Sequence, residues 1–348
     1  VTKKLSATKQ KIVDFLDKNP NSSAKSITDY LEISKQAAQK HLKELLEMGL
    51  ISKRGSPPKV YYEKINRDFK IELSSKISFE STNSDEFNSN DQESIQENFA
   101  LFTSDGQILK GLEGFGKWCE DRDFSVEDYA QKYAEIVTKY NSYKNSSNMI
   151  DATNKAKETY KDQCFLDKLC YSEFSAYEIF GRTKLYSYLL YGKQSEDKKL
   201  IKTTVSEIKE DIFRLVIEQK IDAVGFISPT VPRKIQFQKE FEKILNLPLP
   251  VIKIEKIRGE VLIPQKTLKS PKERIENSIS TIVVTEQRNF SRILLIDDFV
   301  DSGATLNFTA QKLKAKFPSI QTIICYAICG TPNGVINHSQ KFEVVNEA

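Results

Sequence analysis

Asp297 and Asp298 stand side by side at the end of the apolar run Ile293-Leu-Leu-Ile296, just ahead of Asp301-Ser-Gly-Ala-Thr305. Neighbouring carboxylates repel and lose hydration when packed, so a chain keeps them together mainly where a ligand, metal or solvent compensates. A short continuous apolar run is the pattern of a parallel strand buried on both faces, and open α/β sheets place ligands at the carboxyl ends of such strands. The residues that follow are small or polar. Backbone N–H groups of Ser302, Gly303, Ala304 and Thr305 can close around a phosphate, the two hydroxyls can donate to it, and Gly303 permits close approach. From Leu306 onward, Phe308, Leu313 and Phe317 have helical spacing, so a helix N-terminus would face the same anion. An ordinary Asp-rich turn capping a helix would use similar residue types; the carboxylate pair is what such a turn does not account for. The segment reads as a cradle for a sugar phosphate.

Several elements must position it. Ile221-Asp-Ala-Val-Gly-Phe-Ile-Ser-Pro-Thr230 reads as a second apolar strand ending in a polar, proline-interrupted turn, followed by Arg233, Lys234, Gln236 and a helix over residues 239–245. Residues 250–256 alternate as a strand, and a long basic loop over 265–277 carries Lys266 and Arg274.

At the acidic pair and the loop Ser302-Gly303-Ala304-Thr305 the chain resembles type I phosphoribosyltransferases, whose hallmark is a strand, two acidic residues and a Thr-Gly-x-Thr-like loop. The resemblance implies that Asp297 and Asp298 hold the ribose hydroxyls of phosphoribosyl pyrophosphate (PRPP) and that residues 302–305 hold its 5′-phosphate. Asp301 matches a position acidic in some purine-using members, close to the base, and with Arg233 it is a candidate catalytic residue. Thr230, Lys234, Lys266 and Arg274 are candidates for gripping pyrophosphate, with Mg²⁺ as the implied cofactor; each cation could equally be a solvated surface charge. The order of turn, strand, Gln-x-x-Leu loop and acidic motif over residues 170–330 is similar to the ComF competence family. The chain departs from that family in lacking its Cys-x-x-Cys finger and in carrying a shorter, Arg-poor phosphate turn.

The other end of the chain has different chemistry. Residues 1–67 carry 14 Lys and Arg against 7 Asp and Glu, a net +7, whereas the whole chain is only +4. Apolar spacing predicts helices over residues 7–16, 24–31 and 34–48, with Ser34 as a cap, and alternation around a Gly/Pro turn predicts a two-stranded hairpin over 50–63. Residues 5–66 resemble the winged helix-turn-helix domains of bacterial and archaeal transcription regulators. The third helix would present Lys35, Gln36, Gln39, Lys40 and Lys43 to the major groove of double-stranded DNA, and Lys53, Arg54 and Lys59 on the wing would meet phosphates. A winged helix used for protein contacts, with lysines serving solubility, is the alternative.

Residues 78–98 contain no Lys or Arg and are rich in Ser, Asn, Asp and Glu, which predicts an acidic, disordered linker within residues 68–98. Residues 101–169 have helical periodicity, with Phe115, Trp118, Tyr133 and Tyr140 as core or dimer contacts. Arg182 and Lys184 are further candidates for the border of the site. The expected architecture is therefore multidomain: an α+β winged helix (1–67), a linker (68–98), a helical middle segment (99–169) and an α/β phosphoribosyltransferase-like domain with a mainly parallel sheet (170–348). Five cysteines show no paired metal spacing, two histidines make a His-based metal site untenable, and no apolar run has spanning length. A cytoplasmic chain follows as the expectation. Two function classes stay open: a DNA-binding transcription regulator, as a homodimer, that senses PRPP or a nucleotide, similar in domain pairing to the purine operon repressors, or a working phosphoribosyltransferase with an accessory winged helix.

Overall fold

Three amphipathic helices open the chain: α1 (Ala7–Lys18), α2 (Ala24–Leu31) and α3 (Lys35–Glu47). Ile12, Val13 and Leu16 of α1 fall on one helical face and meet Ile27 of α2, Leu42 and Leu45 of α3, and Ile51 in one core. Two caps fix where the helices begin: Ser23 Oγ accepts from Ser26 N–H at 3.1 Å and Ser34 Oγ from Ala37 N–H at 3.2 Å. Between α2 and α3, Glu32 turns the chain in the left-handed region at φ +54°. The expected hairpin forms from β2 (Ile51–Ser56) and β3 (Lys59–Lys64). The two-residue strand β1 (Ser22–Ser23) also pairs with β3, so the sheet has three strands in the order β1-β3-β2 rather than two. Two serines carry no hydrophobic alternation, which is why β1 leaves no sequence signal.

This computed structural model describes residues 5–48, 50–56, 59–64, 88–229, 233–257 and 280–332. It divides into two compact units, residues 1–83 and 84–348.

The second unit is built on a six-stranded sheet in the order β6-β7-β13-β12-β8-β9. Its strands are β6 (Ile150–Asp151), β7 (Lys168–Phe174), β8 (Ala223–Phe226), β9 (Val251–Ile252), β12 (Arg292–Val300) and β13 (Thr322–Gly330). All neighbours are parallel except β6, which lies antiparallel on the edge. Residues 293–296 of β12 are buried on both faces, as their unbroken apolar run requires. Ile293 and Leu295 pack on the side of α7 (Thr153–Tyr160) and α11 (Ala304–Lys316). Leu294 and Ile296 pack on the side of α8 (Lys184–Gln194), α9 (Lys198–Glu218) and α10 (Phe237–Leu245). A Cβ on Gly225 in β8 would come within 2.7 Å of Ile254 Cδ1 and 2.8 Å of Leu295 Cδ2, so a larger residue there would force these two side chains to shift. Beside the sheet, β10 (Ile254–Lys256) and β11 (Ile282–Val284) form an antiparallel pair.

Three features differ from the sequence expectations. Residues 89–98, expected in the disordered linker, form helix α4 (Ser89–Asn98); Ile95 is fully buried and Phe99 stacks edge-on to Phe115 at 5.2 Å. Two apolar anchors are enough to dock a polar helix whose own propensity is modest. The middle segment is not wholly helical: besides α5 (Gly111–Glu120) and α6 (Val126–Asn141) it contains the hairpin β4 (Ala100–Phe102) and β5 (Ile108–Lys110). Nor does it end at residue 169. Strand β6 joins the main sheet, and Tyr133 and Tyr140 of α6 share one core with Phe174 and Phe180, so residues 89–169 and the α/β sheet fold together. Residues 68–87 of the expected linker lie outside the described residues.

Candidate functional site

Strand β8 pairs with β12 only as far as Ile296, so Asp297 and Asp298 emerge just past the end of that neighbour, at the carboxyl edge of the sheet. Each carboxylate is held. Asp297 Oδ1 accepts from the Asp298 N–H at 2.8 Å, and Asp298 Oδ2 accepts from Lys193 Nζ of α8 at 2.5 Å. Burial, and then the adjacent Asp298 charge, push the Asp297 pKa up to about 7; the Asp298 N–H, Lys193 and Lys256 oppose the rise. Lys256, at the end of β10, feels the same pair: burial lowers its pKa while Asp297 and Asp298 pull it up. Two lysines therefore act on the acids, Lys193 by direct contact and Lys256 through its charge.

The following loop turns at Gly303, whose φ of +77° favours glycine and where a Cβ would come within 3.3 Å of Leu169 Cδ2. Gly303 is also the N-cap of α11 and supplies no capping side chain, leaving first-turn N–H groups aimed at the loop. Ser302 Oγ accepts a long 3.4 Å bond from the Ala304 N–H, and the Tyr160 hydroxyl donates to the Ser302 carbonyl at 2.9 Å. Thr305, the second residue of the helix, is half-buried. Asp301 is exposed; its Oδ1 accepts from Thr331 Oγ1 at 3.4 Å, and Lys155 Nζ donates to that same hydroxyl at 3.2 Å. Burial lowers the Lys155 pKa, against the pull of Asp301.

Of the expected pyrophosphate residues, Arg233 reaches the Gln194 carbonyl at 3.4 Å and Lys234 is exposed. Thr230, Lys266 and Arg274 lie outside the described residues. Arg182 is exposed, while Lys184 is engaged at the opposite end of α8 from Lys193, pairing with Glu207 at 3.2 Å beside a polar cavity of about 500 Å³. Sequence reasoning missed Lys193, Lys256, Lys155, Tyr160 and Thr331. Nothing marks Lys193 in the sequence: a lysine in the last turn of a helix is ordinary dipole chemistry, and only the tertiary fold brings it to the acids.

The oxygen donors suit a magnesium ion that is held by one or two carboxylates and completed by ligand phosphates. Asp297 and Asp298 are the residues that would take part, and the ion would neutralise phosphate charge there. Among the described residues no group of three or more His, Cys, Asp or Glu side chains could hold a metal by itself.

In the N-terminal unit, Lys35, Gln36, Gln39, Lys40 and Lys43 on α3 and Lys53 on β2 are all exposed, clear of the core formed by Leu42 and Leu45. Arg54 and Lys59 occupy the hairpin, paired in register with Tyr61 and Ser56; their side chains lie outside the described set.

Residues 11–59 match the MarR family, and residues 233–347 match the phosphoribosyl transferase domain. The chain joins a MarR-family winged-helix domain to a phosphoribosyltransferase domain. The second match spans β9 to β13 and includes the acidic pair and its loop. Among solved structures the chain is similar to a hypoxanthine phosphoribosyltransferase from Staphylococcus aureus, at 14% identity and a TM-score of 0.25, covering 42% of this chain and 71% of that one. No curated protein matches. No helix among the described residues is long and apolar enough to cross a membrane.

Proposed function

We propose that the chain is a DNA-binding transcription regulator, cytoplasmic and dimeric, whose phosphoribosyltransferase domain binds PRPP or a nucleotide as effector. One observation carries this reading: two adjacent, half-buried carboxylates precede a glycine-turned loop at a helix N-terminus, in the same chain as a MarR-family domain. Carboxylates accept from vicinal hydroxyls, and the N–H groups of residues 302–305 with the α11 dipole suit a 5′-phosphate. Magnesium would accompany the phosphates. The exposed cations of α3 and Lys53 suit the phosphates and base edges of duplex DNA.

Regulation then follows from linkage. A ligand changes DNA affinity only by as much as it binds the two arrangements of the protein differently, and the DNA changes ligand affinity by the same factor. In a dimer the affected quantity would be the spacing of two winged helices over half-sites.

A second reading is an active, ComF-like phosphoribosyltransferase with an accessory winged helix; the match to the phosphoribosyl transferase domain is compatible with catalysis and does not bear on the subtype. Catalysis needs a strong cationic grip on departing pyrophosphate. Within the described part of the turn after β8 only Arg233 and Lys234 are cationic. That weights the regulator. Gel-shift titration with and without PRPP and magnesium tests it: a shift of fivefold or more is expected from a typical coupling energy of about 1 kcal/mol or greater. Unchanged DNA affinity together with pyrophosphate release in the presence of a base would establish the enzyme instead.

A further inference from the structure

The end of α8 and the turn that follows it, residues 193–196, make a tight corner before α9. It is closed on the α9 side by Asp197, whose Oδ1 accepts from the N–H groups of Lys199 and Leu200 at 2.6 and 3.1 Å. Three contacts leave this corner for the carboxyl edge of the sheet. Lys193 Nζ binds Asp298 Oδ2 at 2.5 Å, the Gln194 carbonyl accepts from Arg233 at 3.4 Å, and Glu196 Oε2 accepts from the Ile235 N–H at 2.7 Å. Glu196 sits at φ +56°, a conformation that a non-glycine residue holds only when its surroundings fix it.

The two segments so contacted belong to different strands. The acidic pair lies within β12, beyond its last pairing with β8, while residues 233–235 follow β8, its parallel neighbour. Strand pairing sets the separation of β8 and β12 but ends at Phe226 and Ile296, so it does not reach either segment. A ligand with a hydroxyl-bearing sugar on the acids and a polyanionic tail toward Arg233 and Lys234 needs both segments in register. The corner bonds to both.

We propose that residues 193–196 form a positioning element which locks the acidic pair and the 233–235 turn together, and thereby favours a pentose phosphate carrying a pyrophosphate at C1 over one without it. The inference rests on the pentose-phosphate reading of the acidic pair. Lys193 leaves Asp298 Oδ1 for a hydroxyl and offsets the repulsion between two carboxylates. Glu196 acts on the turn through the Ile235 backbone and touches no sugar.

Calorimetry on the full chain with magnesium, using PRPP and ribose 5-phosphate as the two probes, separates these roles. Lys193→Gln is expected to weaken both ligands roughly tenfold or more, as for loss of a charge-assisted bond, with Lys193→Arg restoring most of the affinity. Glu196→Ala is expected to weaken PRPP by roughly tenfold while leaving ribose 5-phosphate within about twofold, and Glu196→Gln, which keeps an acceptor, stays near the parent. Should the alanine variant melt early, Glu196→Asp, too short to span the same gap, gives the same readout. Unchanged binding in Lys193→Gln and Glu196→Ala, or equal loss of both ligands in each, overturns the proposal. If the parent binds neither probe, the pentose-phosphate reading fails first and the positioning role falls with it.

Discussion

In the N-terminal unit the candidate ligand-facing cations, Lys35, Lys40 and Lys43 on α3 and Lys53 on β2, all stand in solvent, whereas Asp297 and Asp298 of the larger unit are half-buried and already bonded. The difference decides how each surface can work. Exposed cations are individually worth little and act by summing over many phosphates. Half-buried charges fixed by neighbours act as a set, because removing one leaves its partner desolvated and unpaired. Recognition should be graded in the first unit and close to all-or-none in the second.

The strongest attempt to break that contrast is the double substitution Asp297→Asn, Asp298→Asn. PRPP affinity should fall by about 100-fold or beyond detection in calorimetry, consistent with losing two charge-assisted acceptors. DNA affinity without ligand should match the parent in gel shift; a parallel loss of both would mean the two functions are not housed separately. Next in size, Gly225→Ala should destabilise the larger unit by roughly 1–3 kcal/mol through overpacking against Ile254 and Leu295, read as an earlier melting transition.

A third test uses pH. With the Asp297 pKa raised to about 7, ligand binding that needs the carboxylate should strengthen from pH 6 to pH 8 by up to about tenfold. Asp297→Asn should flatten that dependence. Stability moves the other way. The native acid keeps a proton that the unfolded chain has already lost, so stability falls as pH rises from the ordinary Asp range to about 7. The Asn variant should therefore melt higher than the parent at pH 8, with the gap closing below pH 4. The smallest effect belongs to Lys40→Ala, which should weaken DNA binding only a few-fold and reduce the slope of log affinity against log salt by about 0.9.

Legibility followed the same division. The N-terminal core could be read from helical spacing alone, since contacts among α1, α2 and α3 are short in sequence; only the two-serine strand β1 escaped. In the larger unit the motif 293–305 was legible because strand, acids, loop and helix run consecutively. Lys193, Lys155 and Tyr160 were not, because each reaches the motif from more than 100 residues away and carries no local pattern of its own. Helix α4 was hidden for a compositional reason. One isoleucine and one phenylalanine within a Ser-, Asn- and Glu-rich stretch resemble a solvated tether until Phe115 and its neighbours are there to receive them.

The ring cluster beside β7 limits how the chain can be divided. Trp118 packs on Phe180 at 5.0 Å and Tyr140 on Phe174 at 5.1 Å, joining a segment that precedes residue 145 to one that follows residue 170. A cut at residue 170 would strip strand β6 from the sheet and expose a greasy, edge-open face prone to self-association. The α/β sheet is thus no portable cassette that can be cut out at residue 170: residues 89–169 belong to the same folded unit.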